Sequence, residues 1–301
     1  MISNSKVAVA VSTFRRPAEL RKLLGSLKVA SLNGAEIHVI VADNDPQASA
    51  KEICAGHDLE IDYIHEPRPG IVHCRNAALS RVTADCDYVA IVDDDEWVEA
   101  GWLDRLLETM ESLPGPRVDV VGGPVVSVFP PDAPKWVVRG GFHQRPRRVT
   151  GEAIPLAATN NVLVRLDALA NLEDPTFSQE FAETGGSDSD LFWRMRREGA
   201  RLVWCDEAVV TEEVPIERCT AKWIRRRAIR LGNVHGRLEL REKKRWVVVA
   251  GGIARVGYGF FILVMALLIR RRCTSRAITT MGRGVGMVGA AFNSFVREYK
   301  R

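Results

Sequence analysis

An α/β fold, with a mostly parallel, Rossmann-like sheet flanked by helices, is what this 301-residue sequence predicts. Two observations carry the prediction. Through roughly the first 130 residues, short apolar runs alternate with stretches of helical periodicity, the pattern of βαβ units. Those runs end in polar or acidic residues, as strands do when their carboxyl ends open on a ligand crevice. A third observation concerns the far end of the chain, where a basic and apolar stretch predicts a helical tail that associates with a membrane.

The elements follow in order. Residues 7–11 (VAVAV) form an apolar run of strand length. Pro17 then opens a helix, since proline suits the first helical position, and Leu20, Leu23, Leu24 and Leu27 fall on one face of it. Residues 37–42 and 61–64 are the next strands. Pro67, Pro69 and Gly70 interrupt the chain before a helix predicted over residues 71–79, and residues 88–92 form a fourth strand that runs directly into acid. A strand-like run at 118–129 leads into a Pro- and Arg-rich connection, 130–150, carrying Trp136, Arg145, Arg147 and Arg148. A connection of that length is either a binding loop or lid, or a surface excursion whose Trp136 caps the core. Beyond it come a helix at 188–198, a strand at 202–205 and a basic helix at 218–237.

Hydrophobic residues make up 46% of the chain and charged residues 27%, with 24 Gly and 14 Pro, which excludes collagen-like, low-complexity and disordered classes. Six cysteines stand far apart with no CxxC pair, and the first residues lead into an apolar strand instead of a signal peptide. The expectation is a reducing, cytosolic setting with no disulfide framework or zinc. The net charge of +4 hides a division: before Arg218, 22 Lys and Arg face 35 Asp and Glu, whereas from Arg218 onward 20 face 3. Such a tail meets something anionic, nucleic acid or lipid head groups. The apolar stretch at 247–269 favours lipid, with no nucleic-acid partner. As a helix it spans about 34 Å against a hydrocarbon core of about 30 Å. Arg255 interrupts it, at about 2.5–3.5 kcal/mol if central. Basic clusters flank it on both sides, Arg241, Lys243, Lys244 and Arg245 before and Arg270, Arg271, Arg272 and Arg276 after, and the positive-inside rule sets both on the cytoplasmic face. A monotopic anchor paired with residues 277–296 is the expectation; a single span and a buried soluble helix are the alternatives. Gly284, Gly286 and Gly289 spell GxGxxG, but no strand precedes them, and small-residue packing between tail helices accounts for them better than a dinucleotide.

Chemistry is sought where the strands end. After the first strand come Ser12, Thr13, Phe14, Arg15 and Arg16; after the second, Asp43, Asn44 and Asp45; after the fourth, Asp93, Asp94, Asp95 and Glu96. Four carboxylates in a row raise one another's pKa unless a cation neutralises them. Hard oxygen donors suit Mg²⁺ or Mn²⁺, which complete their coordination with water and substrate phosphates. A two-residue period sets Asp93 and Asp95 on one side and Asp94 on the other. The alternative is a solvated acidic turn ahead of the helix near Trp102. Asp43 is either an acceptor for a base or ribose, or a turn former. In ETGGSDSDLFWRMRREG, Asp188 and Asp190 follow Gly185 and Gly186 at a helix start. They are either first-turn acids favoured by the helix dipole, or they include a general base within reach of an incoming hydroxyl.

Taken together, VAVAVSTFRRP, the acidic turn at Asp43, GIVHCRNAALS, VAIVDDDEW, ATNNVLVR and GGSDSDLFWRMRREGA resemble glycosyltransferase family 2 over roughly residues 6–237, and most of all its bacterial exopolysaccharide or lipopolysaccharide transferases. The resemblance implies a GT-A fold and inverting transfer of a sugar from a nucleotide-diphosphate sugar donor to a hydroxyl of a lipid-linked or oligosaccharide acceptor. It also implies roles. Thr13, Arg15 and Asp43 would hold the nucleoside, and Arg75, Asn76, Asp93 and Asp94 would line the nucleotide-sugar pocket. Asp93 and Asp95 would take Mn²⁺ or Mg²⁺, Asp188 would be the catalytic base, and Asn161 and Trp136 would belong to the acceptor site. Glu212 or Glu213 falls where some relatives place a further metal ligand. Where the family commonly has Glu-Asp, this chain has Ser187-Asp188. The processive synthases' Q/RxxRW is replaced by AKWIRRRAIR, which favours addition of a single sugar; Arg225, Arg226 and Arg227 there either assist the leaving group or form a solvated or lipid-facing stripe. Residues 1–237 would be the GT-A domain and 238–301 the membrane-associated region, at the cytoplasmic face of a bacterial inner membrane. The rival readings are a metal-dependent nucleotidyltransferase and a non-enzymatic, membrane-tethered nucleotide-binding scaffold.

Overall fold

The structure is a computed structural model that describes residues 5–268 and 274–297. The chain clusters into two compact units. The first comprises residues up to Val126 with 145–182 and 187–212; the second comprises 127–144, 183–186 and the chain from Glu213.

A seven-stranded sheet organises the first unit. Its strands are β1 (Lys6–Thr13), β2 (Glu36–Asp43), β3 (Ile61–His65), β4 (Tyr88–Asp93), β6 (Val120–Gly122), β8 (Asn161–Arg165) and β9 (Leu202–Trp204), in the order β3-β2-β1-β4-β8-β6-β9. Every described pairing is parallel except those of β8, which runs antiparallel to both neighbours. The mostly parallel Rossmann-like sheet is therefore present, with one reversed strand that the apolar pattern did not reveal. A small sheet of β5 (Glu96–Val98), β10 (Val210–Glu213) and β7 (Val125–Val128) has the order β5-β10-β7.

Alternation along β1 assigns its two faces. Val7, Val9 and Val11 pack with Leu20, Leu23, Leu24 and Leu27 of α1 (Pro17–Leu27) and with Trp102, Leu103, Leu106 and Leu107 of α4 (Trp102–Ser112). Ala8 and Ala10 face Val72, Cys74 and Ala78 of α3 (Ile71–Leu79) and Leu191, Phe192 and Met195 of α7 (Ser187–Arg197). The four α1 leucines are almost fully buried, each worth about 1.5–3 kcal/mol by transfer. Gly70, which precedes α3, has φ 120°, a backbone conformation that side chains resist.

The run at 118–129 divides into β6 and β7 because the chain turns at Gly123 and Pro124. A Cβ on Gly123 would lie 2.4 Å from the Asn161 amide nitrogen and 2.6 Å from the Ala208 carbonyl oxygen, so only glycine fits. The connection after β7 holds a short helix, α5 (Lys135–Gly140), whose Val137 joins Val214, Cys219 and Ile224 in the core of the second unit. Two further helices of the first unit are short, α2 (Lys51–Ala55) and α6 (Leu166–Ala170).

The second unit is dominated by α8 (Ala221–Leu240), α9 (Arg245–Leu268) and α10 (Thr274–Ala291). The division expected after Arg237 falls inside α8, which runs on to Leu240 because its buried positions, Ala228, Gly232 and Gly236 among them, continue to face α10. Gly284 and Gly286 are contact points: a Cβ on Gly286 would meet the Ile229 carbonyl oxygen at 2.0 Å, and one on Gly284 would meet the Gly252 carbonyl oxygen at 2.5 Å. Small-residue packing between tail helices thus explains the GxGxxG spelling. The basic cluster Arg270, Arg271 and Arg272 lies outside the described residues.

Candidate active site

Parallel register brings the strand ends level. Thr13 pairs with Asp43 across β1 and β2, and Ser12 with Asp93 across β1 and β4. The carboxyl ends of β1, β2 and β4 therefore gather the hydroxyl, turn and acidic residues that lie dozens of positions apart in sequence.

The acidic turn is internally wired. Asp94 is buried, accepts a hydrogen bond from the Thr13 hydroxyl at 2.8 Å, and accepts another from Arg16 at 2.9 Å. Burial pushes its carboxyl up to about 6, against the pull of Arg16 and Thr13. Arg16 also reaches Asp95 at 2.8 Å. Thr13 and Asp94, expected on the nucleotide sugar, thus spend their polar atoms on each other and on Arg16, and act to position the turn. Asp93 keeps 41% of its side chain exposed, with Arg75 at 3.6 Å. Desolvation in the recess raises its pKa, with the Arg75 cation opposing and the Asp95 charge reinforcing. Glu96 accepts from the Asp93 backbone N–H at 3.2 Å, while its Oε1 is buried without a hydrogen-bond partner. Burial, followed by the Asp93 charge, holds Glu96 well above the ordinary carboxylate range. Across the small sheet Glu96 pairs directly with Glu212, which Arg145 binds at 3.1 Å.

Arg75 joins two parts of the site. From α3 its guanidinium faces Asp93 and also donates to the Ser187 hydroxyl at 3.2 Å, at the start of α7. Asp188 follows, half-buried, with one carboxylate oxygen accepting from the Ser189 N–H at 2.7 Å, and its charge is felt at Asp93. Asp190 is fully buried and paired with Arg194 at 3.0 Å, so of the two acids in this segment only Asp188 is presented outward. The Ser187 that stands where the family commonly has Glu is the residue that Arg75 holds.

Three expected ligands are turned inward. Asp43 is completely buried and accepts from the Asp45 and Ala50 N–H groups at 2.9 and 2.8 Å and from the Tyr63 hydroxyl at 3.1 Å, so it shapes the loop after β2 and does not face a base. Asn76 exchanges hydrogen bonds with the Phe177 backbone, at 3.0 and 2.8 Å, and anchors that segment. Asn161, expected at the acceptor site, is 1% exposed; its amide donates to the Pro124 and Ala208 carbonyls at 2.9 and 2.7 Å, and its oxygen accepts from the Trp102 indole at 2.9 Å. It has no polar hydrogen left for an acceptor. Trp136 lies on α5 in the other compact unit, 47% exposed and edge-on to Phe142. Arg15, by contrast, is exposed at φ 55°, with an ion pair to Asp45 at 3.1 Å. Arg16, Arg145 and Glu96 stand at a strand end or in the long loop in the sequence, which assigns none of them a partner or a role in the site. A basic residue three positions after a strand, and one of three clustered arginines in a long loop, carry no local mark of their partners.

Asp93 and Asp95 are hard oxygen donors whose charges act on each other. Among the described residues, no group of three or more His, Cys, Asp or Glu side chains converges on a single metal position. That donor set fits a hard divalent ion that takes one or two carboxylates and draws its remaining ligands from water and substrate phosphates.

A mostly parallel sheet with carboxylates at its strand ends, and an outward carboxylate at a nearby helix start, is the architecture of a nucleotide-sugar transferase of GT-A type. Residues 8–172 match the family described as Glycosyl transferase family 2, and the chain belongs to that family as a glycosyltransferase. The chain is 36% identical over 296 residues to the succinoglycan biosynthesis protein ExoM of Rhizobium meliloti, covering 94% of this chain and 93% of the relative. It is 28% identical over 295 residues to the pre-mycofactocin glycosyltransferase of Mycobacterium tuberculosis, covering 90% of this chain and 57% of that protein. Among solved structures, the mannosyltransferase PcManGT of Pyrobaculum calidifontis, in complex with GDP-Man and Mn²⁺, superimposes with a TM-score of 0.63 at 19% identity, covering 96% of this chain and 88% of that one.

Proposed function

We propose that this glycosyltransferase moves a single sugar from a nucleoside-diphosphate sugar to a hydroxyl of a lipid-linked or oligosaccharide acceptor, with inversion at the anomeric carbon, during assembly of a surface polysaccharide at the cytoplasmic face of the cell membrane. The observation that carries it is the Arg75 link, which ties Asp93 of the acidic turn to Ser187 beside Asp188. The succinoglycan biosynthesis protein, similar along nearly its whole length, supports the polysaccharide context, and the Mn²⁺ complex of the mannosyltransferase supports a divalent ion.

Asp188 is the general base. One oxygen is steadied by the Ser189 N–H, leaving the other to take the proton of the acceptor hydroxyl as that oxygen attacks in line. Asp93 and Asp95 would hold Mn²⁺ or Mg²⁺, which would supply positive charge to the departing diphosphate. Exposed Arg15 is available to the nucleotide, and Arg75 keeps the two carboxylate groups in register.

The test uses Asp188→Asn. The variant is expected to be stabilised by a nucleoside diphosphate with Mn²⁺ as the wild type is, since ligand binding to the folded state raises its melting point, yet to release nucleoside diphosphate from donor and acceptor at least a thousandfold more slowly. Undiminished turnover overturns the assignment of the base. Absence of any metal-dependent stabilisation across a panel of nucleoside diphosphates overturns the donor site.

A further inference from the structure

Helix α9 is long and apolar enough over Arg245–Ala266 to cross a bilayer, with Arg255 interrupting it. Its side chains sort cleanly by face. Val248, Gly252, Gly259 and Ala266 are buried, and Gly252 and Gly259 lie against Gly284, Val288, Met281 and Ala277 of α10. Trp246, Ile253, Phe260, Phe261 and Leu268 are exposed, from 58% to 73%. At 100° per residue these five share one side, and over 22 residues that stripe runs about 33 Å without a charge. Arg255 is not on it. Its guanidinium turns inward, donating to the Gly251 carbonyl at 3.3 Å and lying 3.4 Å from His235 Nε2 of α8. His235 in turn lies 3.2 Å from Glu239, which also binds Lys243 at 3.0 Å.

These contacts fix the level of α9 against its neighbours. One part of α10, around Gly282 and Gly286, meets α8 at Ala228, Ile229 and Asn233, and the same part, through Gly284, meets α9 at Gly252 and Val256. The middle of α9 is therefore level with the middle of α8, whose residues include Arg225, Arg226, Arg227, Arg230 and Arg237. A spanning α9 would carry those arginines and the His235–Glu239–Arg255 cluster into hydrocarbon, where charge is costly. Lying flat at the interface, the same unit sinks only its apolar stripe among acyl chains and leaves the charges in water.

We infer that α9 lies in the plane of the membrane, docking the chain on an anionic bilayer through the stripe from Trp246 to Leu268. The occupant is a lipid surface bearing negative head groups, because the stripe begins directly after exposed Lys243, Lys244 and Arg245, and exposed Arg276 and Arg283 lie on α10. The inference rests on the membrane association proposed above and narrows it to one geometry.

The experiment presents the full chain to phosphatidylcholine vesicles with and without about 30% phosphatidylglycerol. Flotation is expected to show binding at least tenfold tighter to the anionic vesicles, weakening with salt. The variant Ile253→Glu with Phe260→Glu is expected to bind at least tenfold more weakly. Glu242→Cys and Arg276→Cys, on opposite ends of the helix pair, are then exposed in bound protein to a membrane-impermeant maleimide added outside, with the labelled peptides read by mass. Labelling of both supports the in-plane geometry. Labelling of one alone, with the other protected inside, overturns it while leaving membrane association standing. No binding to either vesicle overturns both. A double variant that dissociates a dimer without altering lipid binding assigns the stripe to a second copy and also overturns the inference.

Discussion

Asn161 separates what the motif ATNNVLVR implied from what the packing shows. Replacing it with alanine removes three hydrogen bonds at a 1% exposed site: those to the Pro124 and Ala208 carbonyls and that from the Trp102 indole. The Ala208 carbonyl and the Trp102 indole lose their mate at a position too buried for water to replace it, while the Pro124 carbonyl keeps the Val210 N–H at 3.1 Å. At about 1–3 kcal/mol for each of these two abandoned buried groups, the loss is about 2–6 kcal/mol. With about 2–4 °C per kcal/mol for chains of this size, the melting point falls by roughly 4–24 °C. The assay pairs a calorimetric melt with steady-state kinetics at a temperature where the variant is fully folded. Because the side chain holds β8 against the Gly123–Pro124 turn and has no donor left for a sugar, the acceptor KM of the folded variant is expected to stay within twofold of wild type. An unchanged melting point together with a tenfold rise in acceptor KM would refute the reasoning and return Asn161 to the acceptor site.

Two further outcomes follow from the same kind of contact. A Cβ on Gly286 lands on the Ile229 carbonyl oxygen and 2.7 Å from the Asn233 nitrogen, both backbone atoms that no rotamer change can move. Gly286→Val is thus expected to separate α8 from α10, at a cost at or above the usual 1–3 kcal/mol of overpacking, and to speed tryptic cleavage of the tail at least tenfold; unaltered cleavage contradicts the packing. Burial pushes the Cys54 and Cys74 thiols up to about 11 and about 12. Raising the pKa of an acid keeps its protonated form through a wider range of pH, so at pH 8 only about one Cys74 thiol in ten thousand is thiolate. Iodoacetamide at that pH is expected to modify partly exposed Cys86 and to spare Cys54 and Cys74 in native protein, as read by peptide mass spectrometry, and comparable labelling of Cys74 would disprove its burial.

Local periodicity was enough to place much of the first unit. The helix over 71–79 is observed as α3 with the same bounds, and α1 begins at Pro17 with its four leucines inward, because apolar spacing and a helix-start proline act within a few residues. β8 was not visible: NVLVR reads like any short apolar run, and its antiparallel direction is set only by pairing with Tyr88–Val92 on one side and Val120–Gly122 on the other. The ion pairs of Arg16 and Arg145 are not legible in the sequence because their partners, Asp94, Asp95 and Glu212, lie 67 to 79 positions away.

From its order of residues alone, then, the chain declares a sheet with acid at the fourth strand's end, a pair of acids at a helix start after Gly185–Gly186 and a basic, apolar tail, since composition and period are local properties. Which of its polar residues remain available for chemistry is decided only on folding. Thr13, Asp43, Asn76 and Asn161 look like ligands until folding matches them to protein partners, the Asp94 carboxylate for Thr13 and backbone groups for the other three, while Asp93, Asp188 and Arg15 stay partly exposed beside Arg75, the Ser189 N–H and Asp45. Arg255 follows the same rule in the tail: a break in hydropathy when read along the chain, it meets the Gly251 carbonyl of its own helix and His235 of α8 in the folded tail.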